Sequence, residues 1–309
     1  MISKPNGEFF EGYGHGKVIL VGEHAVVYGY PAISTAIDRG VSARIRPRLG
    51  PSSSSSVRRN DRVEAAIRAI LPEYGYQVEL ESTLPVGRGL GASAALAAAL
   101  VRADAARRGE LALFTTLHER AFAVERCFHG TPSGADHAVS LLGCTLRFRR
   151  GESLEVRPLP PLGFALVVLD TEVPKDTAQM VRAVASRRPA VDPWLARIGA
   201  LAEAAESALD DIDALGEIFD ENHRCLSEIG VSNPSLDSLA AWARAEGATG
   251  AKLSGSGGGG VVIALSRDPE TMVEKAARKG MNAMIAAPAD GGADRCRGGS
   301  SQQGALASC

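Results

Sequence analysis

The 309-residue chain lacks the features that tie a protein to a membrane, a nucleic acid or a disulfide framework. No uninterrupted apolar run approaches the roughly 20 residues of a membrane-spanning helix. The opening MISKPNGEFF has no apolar core of signal-peptide length. Cysteine is sparse: Cys127, Cys144, Cys225, Cys296 and Cys309 are odd in number, scattered, and never at CxxC spacing. That argues against both a disulfide scaffold and a zinc site. Lys and Arg number 34 against 36 Asp and Glu, a formal net charge of −2. Without a basic excess there is no electrostatic footprint for nucleic acid, and any anion site must be local. No internal repeat is visible. The expectation is a soluble, reduced, cytoplasmic protein with no nucleic-acid or membrane partner.

What is present is ordinary globular composition, 45% hydrophobic and 23% charged, on a chain long enough for two lobes. Strand-like runs come first: KVILV, AISTAI and VSARIRPR. GPSSSSSVRRN, Gly50 to Asn60, reads as a mobile serine-rich loop. DRVEAAIRAI sets Val63, Ile67 and Ile70 on one helical face, and YQVELEST alternates as a strand. LPVGRGLGAS is a glycine-rich loop opening an alanine-rich helix that Gly109 closes. Leu117, Ala121, Val124 and Phe128 recur at helical spacing, and TPSGADHAVSLLG turns into another helix. TLRFRR, SLEVRPL and GFALVVLD read as strands, and residues 176–247 as almost wholly helical. AKLSGSGGGGVVIALS then sets four consecutive glycines between two strands. The order predicts an α+β protein of two lobes with a cleft between them. The strand-rich lobe covers 1–165, and the helix-rich lobe with a late antiparallel sheet covers 166–290. The tail over 291–309 has little to bury and is expected to be disordered.

Three segments could carry chemistry. In GKVILVGEHAVVYGYPA, Gly16 to Ala32, the apolar run Val18 to Val21 separates Lys17 from Glu23 and His24; a purely structural strand rarely ends in Gly-Glu-His. In PVGRGLGASAA, glycines that turn backbone N–H groups inward, followed by a helix N-terminus, make an anion cradle suited to polyphosphate. A plain strand-to-helix turn is the other reading. The alternation of Gly87, Gly89 and Gly91, with Ser93 at the helix start as a cap or metal ligand, favours the cradle. Ala92 stands where a Walker A loop needs lysine, so the cation must come from elsewhere, and Lys17 is a candidate. Glu125 is either a solvated helix acid or a Mg²⁺ ligand, and Asp136 either a turn residue or a proton acceptor. In KLSGSGGGG the glycines lead straight into the apolar strand VVIAL. Close approach to a ligand, or to the first glycine loop, explains this better than a linker does.

In this order the three segments resemble the GHMP kinase superfamily of galactokinase, homoserine kinase, mevalonate kinase and phosphomevalonate kinase. Within it the closest likeness is to the mevalonate kinases, whose first motif reads GK, a hydrophobic run, GEHAVV, G and PA. ERCFHGTPSGADHAVS, Glu125 to Ser140, resembles their segment that carries both acids, and DTEVPKDTAQMV their substrate-side strand and loop. The resemblance spans residues 14 to 265. It implies the two-lobed GHMP kinase fold and ATP- and Mg²⁺-dependent phosphorylation of the C5 hydroxyl of mevalonate, in the route to isoprenoids. Asp136 would take the hydroxyl proton, with Lys17 beside it touching the phosphates. Ser93 and Glu125 would hold Mg²⁺. Ser82, Pro85, Val86, Gly87, Arg88, Gly89, Leu90, Gly91, Ala92 and Ser93 would form the nucleotide side, and Glu23, His24, Lys175 and Thr177 the substrate pocket. The partners implied are ATP and a small-molecule substrate, with a homodimer left open. Two departures stand out: Ala92 replaces a family serine, and Lys175 stands where many relatives place arginine beside the substrate carboxylate, losing its bidentate fork. The alternatives are another kinase of the superfamily, for phosphomevalonate, homoserine or a sugar, and a catalytically silent ligand-binding relative.

Overall fold

A computed structural model describes residues 9–56, 61–71, 74–85, 87–111, 113–129, 134–151 and 154–289. The expected tail over 291–309 lies outside the described residues. The chain divides into two compact units, one of residues 1–17, 38–85 and 91–143, the other of 18–37, 86–90 and 144–309. Neither unit is one continuous stretch.

The first unit begins with β1 (Phe10–Val21) and β2 (Pro31–Pro51), both of which also contribute residues to the second. AISTAI and VSARIRPR, expected as separate strands, form the single 21-residue β2. Gly40 at their junction is crossed closely by the Gly14 carbonyl and the Tyr13 ring, which leaves no room for a side chain. After β2 come β3 (Ser53–Ser56), α1 (Asp61–Arg68) and β4 (Tyr74–Ser82). The serine-rich segment is thus not wholly a loop. Ser53 to Ser56 pair in parallel with Gln77 to Leu80 of β4, and the Ser54 hydroxyl donates to Glu64 of α1 at 2.5 Å. Serine side chains give no hydrophobic pattern, so the strand is specified by its backbone ladder and not by periodicity. β4 also pairs antiparallel with β2.

Three helices complete the unit: α2 (Ala92–Arg108), α3 (Phe114–Glu125) and α4 (Ala135–Leu142). Every residue of α2 from Ala94 to Val101 is buried. The alanine content is explained by β1: a Cβ on Gly12 would collide with the Ala99 carbonyl, and one on Gly14 with the Ala95 carbonyl. Helix and strand therefore meet at backbone distance. α3 and α4 pack through rings, with His118 and His137 centroids 4.4 Å apart, Phe122 edge-on to His137 at 5.4 Å, and Phe114 at 5.2 Å from His118. His118 Nε2 donates to the carbonyl of Gly134, the residue that caps α4, at 3.1 Å. Both ring nitrogens of His137 are buried without a partner among the described residues. Burial, and secondarily the neighbouring His118, lowers the His137 pKa to about 3, with Asp136 opposing.

In the second unit the first residues of β2, Pro31 to Ser34, pair antiparallel with β5 (Leu146–Arg150), which pairs with β6 (Leu154–Pro158). β7 (Leu166–Asp170) leads to the expected helical stretch: α5 (Thr177–Ser186), α6 (Asp192–Ala205), α7 (Ile212–Glu228) and α8 (Pro234–Ala245). β8 (Gly250–Ser254), β9 (Val261–Leu265), α9 (Pro269–Arg278) and β10 (Ala283–Ala286) follow. The late sheet is antiparallel, in the order β10-β7-β9-β8. β8 and β9 are buried at every residue, and α7 and α8 pack on β8. The helix starts follow side-chain chemistry. Asp176, Asp211, Asn233 and Asp268 each accept a backbone N–H of the first turn, and Pro234 and Pro269 stand where no intrahelical N–H is needed. Among the described residues no helix is long and apolar enough to cross a membrane.

Two outcomes test this packing. Gly14→Ala should lower stability by about 2 kcal/mol or more, because the obstacle is backbone and cannot swing aside; an unchanged urea midpoint would refute the close approach. His137 is neutral when folded, whereas in the unfolded chain it gains a proton below its ordinary value of 6.5. Its contribution is therefore intact above that value and is lost as pH falls toward about 3, amounting to about 2 kcal/mol between pH 7 and pH 5. Urea titrations at both pH values should show His137→Leu losing about 2 kcal/mol less than the parent protein; equal losses would remove His137 as the cause.

Candidate active site

In the first unit, β1 carries Lys17 inward, and Gly134 in the left-handed region starts α4 so that Asp136 falls in its first turn. Lys17 Nζ lies 2.9 Å from Asp136 Oδ1; the lysine side chain is 5% exposed and the aspartate 43%. The ammonium is held in the protein while the carboxylate stays reachable. The N-terminus of α4 adds a dipole that favours the negative charge. At the start of α2, Gly91 has φ +75°, and a Cβ there would come within 2.8 Å of Lys17 Cγ. Glycine thus lets the helix N-terminus settle on the lysine stem.

Glu125, the last residue of α3, is 3% exposed and is no solvated helix acid. Its Oε1 is buried without a partner among the described residues. Burial first, then nearby Asp136, raises its pKa to about 7, while the Ser93 hydroxyl bond and Lys17 pull it down. Ser93 Oγ also lies 3.3 Å from His129 Nε2. An orphaned carboxylate oxygen beside a hydroxyl is a hard-oxygen donor set that suits Mg²⁺. Among the described residues no group of three or more His, Cys, Asp or Glu could hold a metal. Mg²⁺ commonly takes only one or two carboxylates and draws the rest from phosphate and water, so the pair fits.

The glycine-rich loop is split between the units. Ser82 turns on itself: its hydroxyl accepts from the Leu84 N–H at 3.1 Å and donates to the Leu84 carbonyl at 3.3 Å. Pro85 is half-buried, Val86 lies outside the described residues, Leu90 is buried, and Ala92 opens α2. Gly87 and Gly89, like Gly91, take left-handed φ values, of 77° and 86°.

In the second unit Arg88 pairs with Asp170 at the end of β7, at 2.9 Å. A Cβ on Gly89 would fall on the Lys175 ammonium, and one on Gly255 would lie 2.9 Å from it. Lys175 therefore sits against two glycine loops. A Cβ on Gly260 would meet the Arg88 carbonyl at 3.1 Å, so the second glycine run does approach the first loop. Gly257 and Gly259 face the Val231 and Val173 carbonyls. The run of glycines is thus occupied by the protein's own backbone, in conformations that L-residues with side chains rarely adopt.

Glu23 is 1% exposed, and its carboxylate faces inward instead of toward a surface. It pairs with Lys252 of β8, itself fully buried and 5.6 Å from the Phe219 ring centre, and accepts from Asn222 Nδ2 at 3.0 Å. A buried ion pair stands only with such extra bonds to offset desolvation. His24 follows in the left-handed region at φ 59°. Its Nε2 lies 2.9 Å from the Ser256 carbonyl, which can only accept, so Nε2 carries the proton. Burial foremost, with Lys175 adding, lowers the His24 pKa, opposed by the Ser256 bond and Glu23. Thr177 opens α5 with an exposed side chain, its hydroxyl 3.2 Å from Ser256 Oγ. Lys252 and Ser256 were legible only as letters of KLSGSGGGG; Asn222 left no signal in its helix.

The family descriptions "GHMP kinases N terminal domain" and "GHMP kinases C terminal" match residues 61–144 and 200–283. Mevalonate kinase of Pyrococcus horikoshii is 32% identical over 294 residues, covering 81% of this chain and 86% of its own. That of Aeropyrum pernix is 33% identical over 285 residues, covering 82% and 88%. Among solved structures, L. major mevalonate kinase in complex with R-mevalonate superposes with a TM-score of 0.79 at 26% identity, over 94% of this chain and 99% of that one. With its ordered motifs, two-sheet fold and relatives above 30% identity along most of their length, the chain belongs to the mevalonate kinase family of GHMP kinases.

Proposed function

We propose that this protein transfers the γ-phosphoryl group of ATP to the C5 hydroxyl of mevalonate, giving 5-phosphomevalonate and ADP. The observation that carries the reading is the 2.9 Å Lys17–Asp136 pair beside the buried Glu125 and its Ser93 bond, in a chain of this family. Asp136, ionised beside an ammonium and partly exposed, accepts the hydroxyl proton as the new P–O bond forms. Lys17 holds that carboxylate in place and offers positive charge to the phosphoryl oxygens. Phosphoryl transfer passes through a loose transition state, so positioning and charge neutralisation supply most of the catalysis. Ser93 and Glu125 are the residues that would hold Mg²⁺, which when bound neutralises phosphate charge. The N–H groups of the Gly87–Gly91 turn and the α2 N-terminus suit polyphosphate. His24, Thr177 and Lys175 bind the hydroxy acid, Lys175 as a point charge for its carboxylate. The thiols of Cys127 and Cys225 fit a reduced, cytoplasmic setting.

Coupled ADP release should be fast with mevalonate and negligible with phosphomevalonate, homoserine or galactose; a preference for one of the others would replace the substrate. Asp136→Asn should lower kcat by about 10³-fold while nucleotide affinity stays within a few-fold, and undiminished turnover would remove Asp136 from the chemistry. Glu125→Gln should raise the Mg²⁺ concentration for half-maximal rate about 10-fold or more. An unaltered Mg²⁺ titration would mean the cation is held elsewhere.

A further inference from the structure

Ser256 stands between two left-handed glycines, Gly255 at φ 91° and Gly257 at φ 74°. L side chains rarely adopt either conformation; a Cβ on Gly257 would strike the Val231 carbonyl, whereas one on Gly255 would meet only the movable Lys175 ammonium at 2.9 Å. The backbone just after Ser256, which is only 9% exposed, is therefore held against the Val231 carbonyl, to which the Gly258 N–H donates at 2.8 Å. In that fixed pose its two polar groups point to different partners. The carbonyl receives the His24 Nε2 proton at 2.9 Å, and the hydroxyl lies 3.2 Å from the Thr177 hydroxyl. Ser256 thus joins two side chains assigned above to the small substrate, without being assigned to it itself. His24 is held from the other side, since its neighbour Glu23 is anchored by buried Lys252 and Asn222. Among the described residues Thr177 has no such buried ion pair beside it. It sits exposed on the first residue of α5, and a threonine hydroxyl can turn its proton toward any acceptor. The Ser256 hydroxyl is a partner within bonding distance, and either oxygen can be the donor; when Ser256 donates to Thr177, the Thr177 proton is left for another acceptor.

We propose that Ser256 is a positioning residue for the hydroxy-acid substrate. Its hydroxyl donates to Thr177 and thereby turns the Thr177 proton toward a substrate oxygen, while its carbonyl keeps His24 in the Nε2–H tautomer. The inference rests on the reading of His24 and Thr177 as substrate residues. It makes the glycine-rich loop before β9 part of substrate recognition through a side chain, and not only through close backbone packing.

A double-mutant cycle in steady-state kinetics tests it. Ser256→Ala should raise KM for mevalonate about 5- to 10-fold, the worth of one hydrogen bond, and leave kcat and KM for ATP within about 2-fold. Thr177→Val should raise KM for mevalonate at least as much, and adding Ser256→Ala to it should change little further. A Ser256→Ala effect that is absent, that appears equally in KM for ATP, or that multiplies fully with Thr177→Val would overturn the positioning role while leaving the substrate site intact. If Thr177→Val alone leaves KM for mevalonate unchanged, the assignment of Thr177 itself fails, and the positioning role with it.

Discussion

The approach of α2 to β1 at backbone distance is the constraint on which the first unit depends. It exists because Gly12 and Gly14 put no Cβ where the Ala99 and Ala95 carbonyls lie, and because Gly91 puts none against the Lys17 stem. The helix in turn carries small side chains along its buried length. With α2 seated this way, Ser93 in its first turn is brought to Glu125 at the end of α3, and α3 and α4 pack on α2 and on each other. Asp136 at the start of α4 then reaches Lys17. Four side chains far apart in sequence meet because a helix is allowed to come close to a strand.

Two buried carboxylates show how a shared chemistry can be finished or unfinished. Glu23 has a buried ammonium on one oxygen and an amide N–H on the other, with an aromatic face behind the lysine. Both oxygens are paired within the protein, and the pairing holds the turn that ends in His24. Glu125 is equally buried but keeps an oxygen without a partner among the described residues, and burial, then nearby Asp136, raises its pKa to about 7. A carboxylate paired within the protein supports structure; one left short of a partner suits a cation that arrives with the substrate. His137 is a third case, a neutral ring accepted into an aromatic contact between helices, where the cost appears only on acidification.

Much of this was legible in short windows. The four consecutive helices of the second unit announce themselves through periodicity and through Asp, Asn and Pro at their starts, because capping is a local reaction of side chain with backbone. The strand after the glycine run is apolar because it is buried on all sides. Lys17, Ser93, Glu125 and Asp136 were recognisable from the motifs around them. The strand at Ser53 to Ser56 was not, since a parallel partner stabilises its backbone whatever its side chains. Nor was the fate of Glu23, whose lysine stands 229 residues away.

The amino-acid order by itself determined most of the element types, the side-chain caps of α5, α7, α8 and α9, and the residue chemistry offered to a phosphate and a hydroxy acid. These follow from interactions within a few residues, which any folded arrangement must respect. Tertiary structure alone decided which charges are consumed and which are left open. It gave Glu23 to Lys252, left Glu125 an oxygen, set Lys175 against two glycine loops, and put the Ser256 hydroxyl beside Thr177. The physical reason is that the environment of a charge or hydroxyl is set by groups distant in sequence, and burial and hydrogen bonding act only once those groups have been packed together.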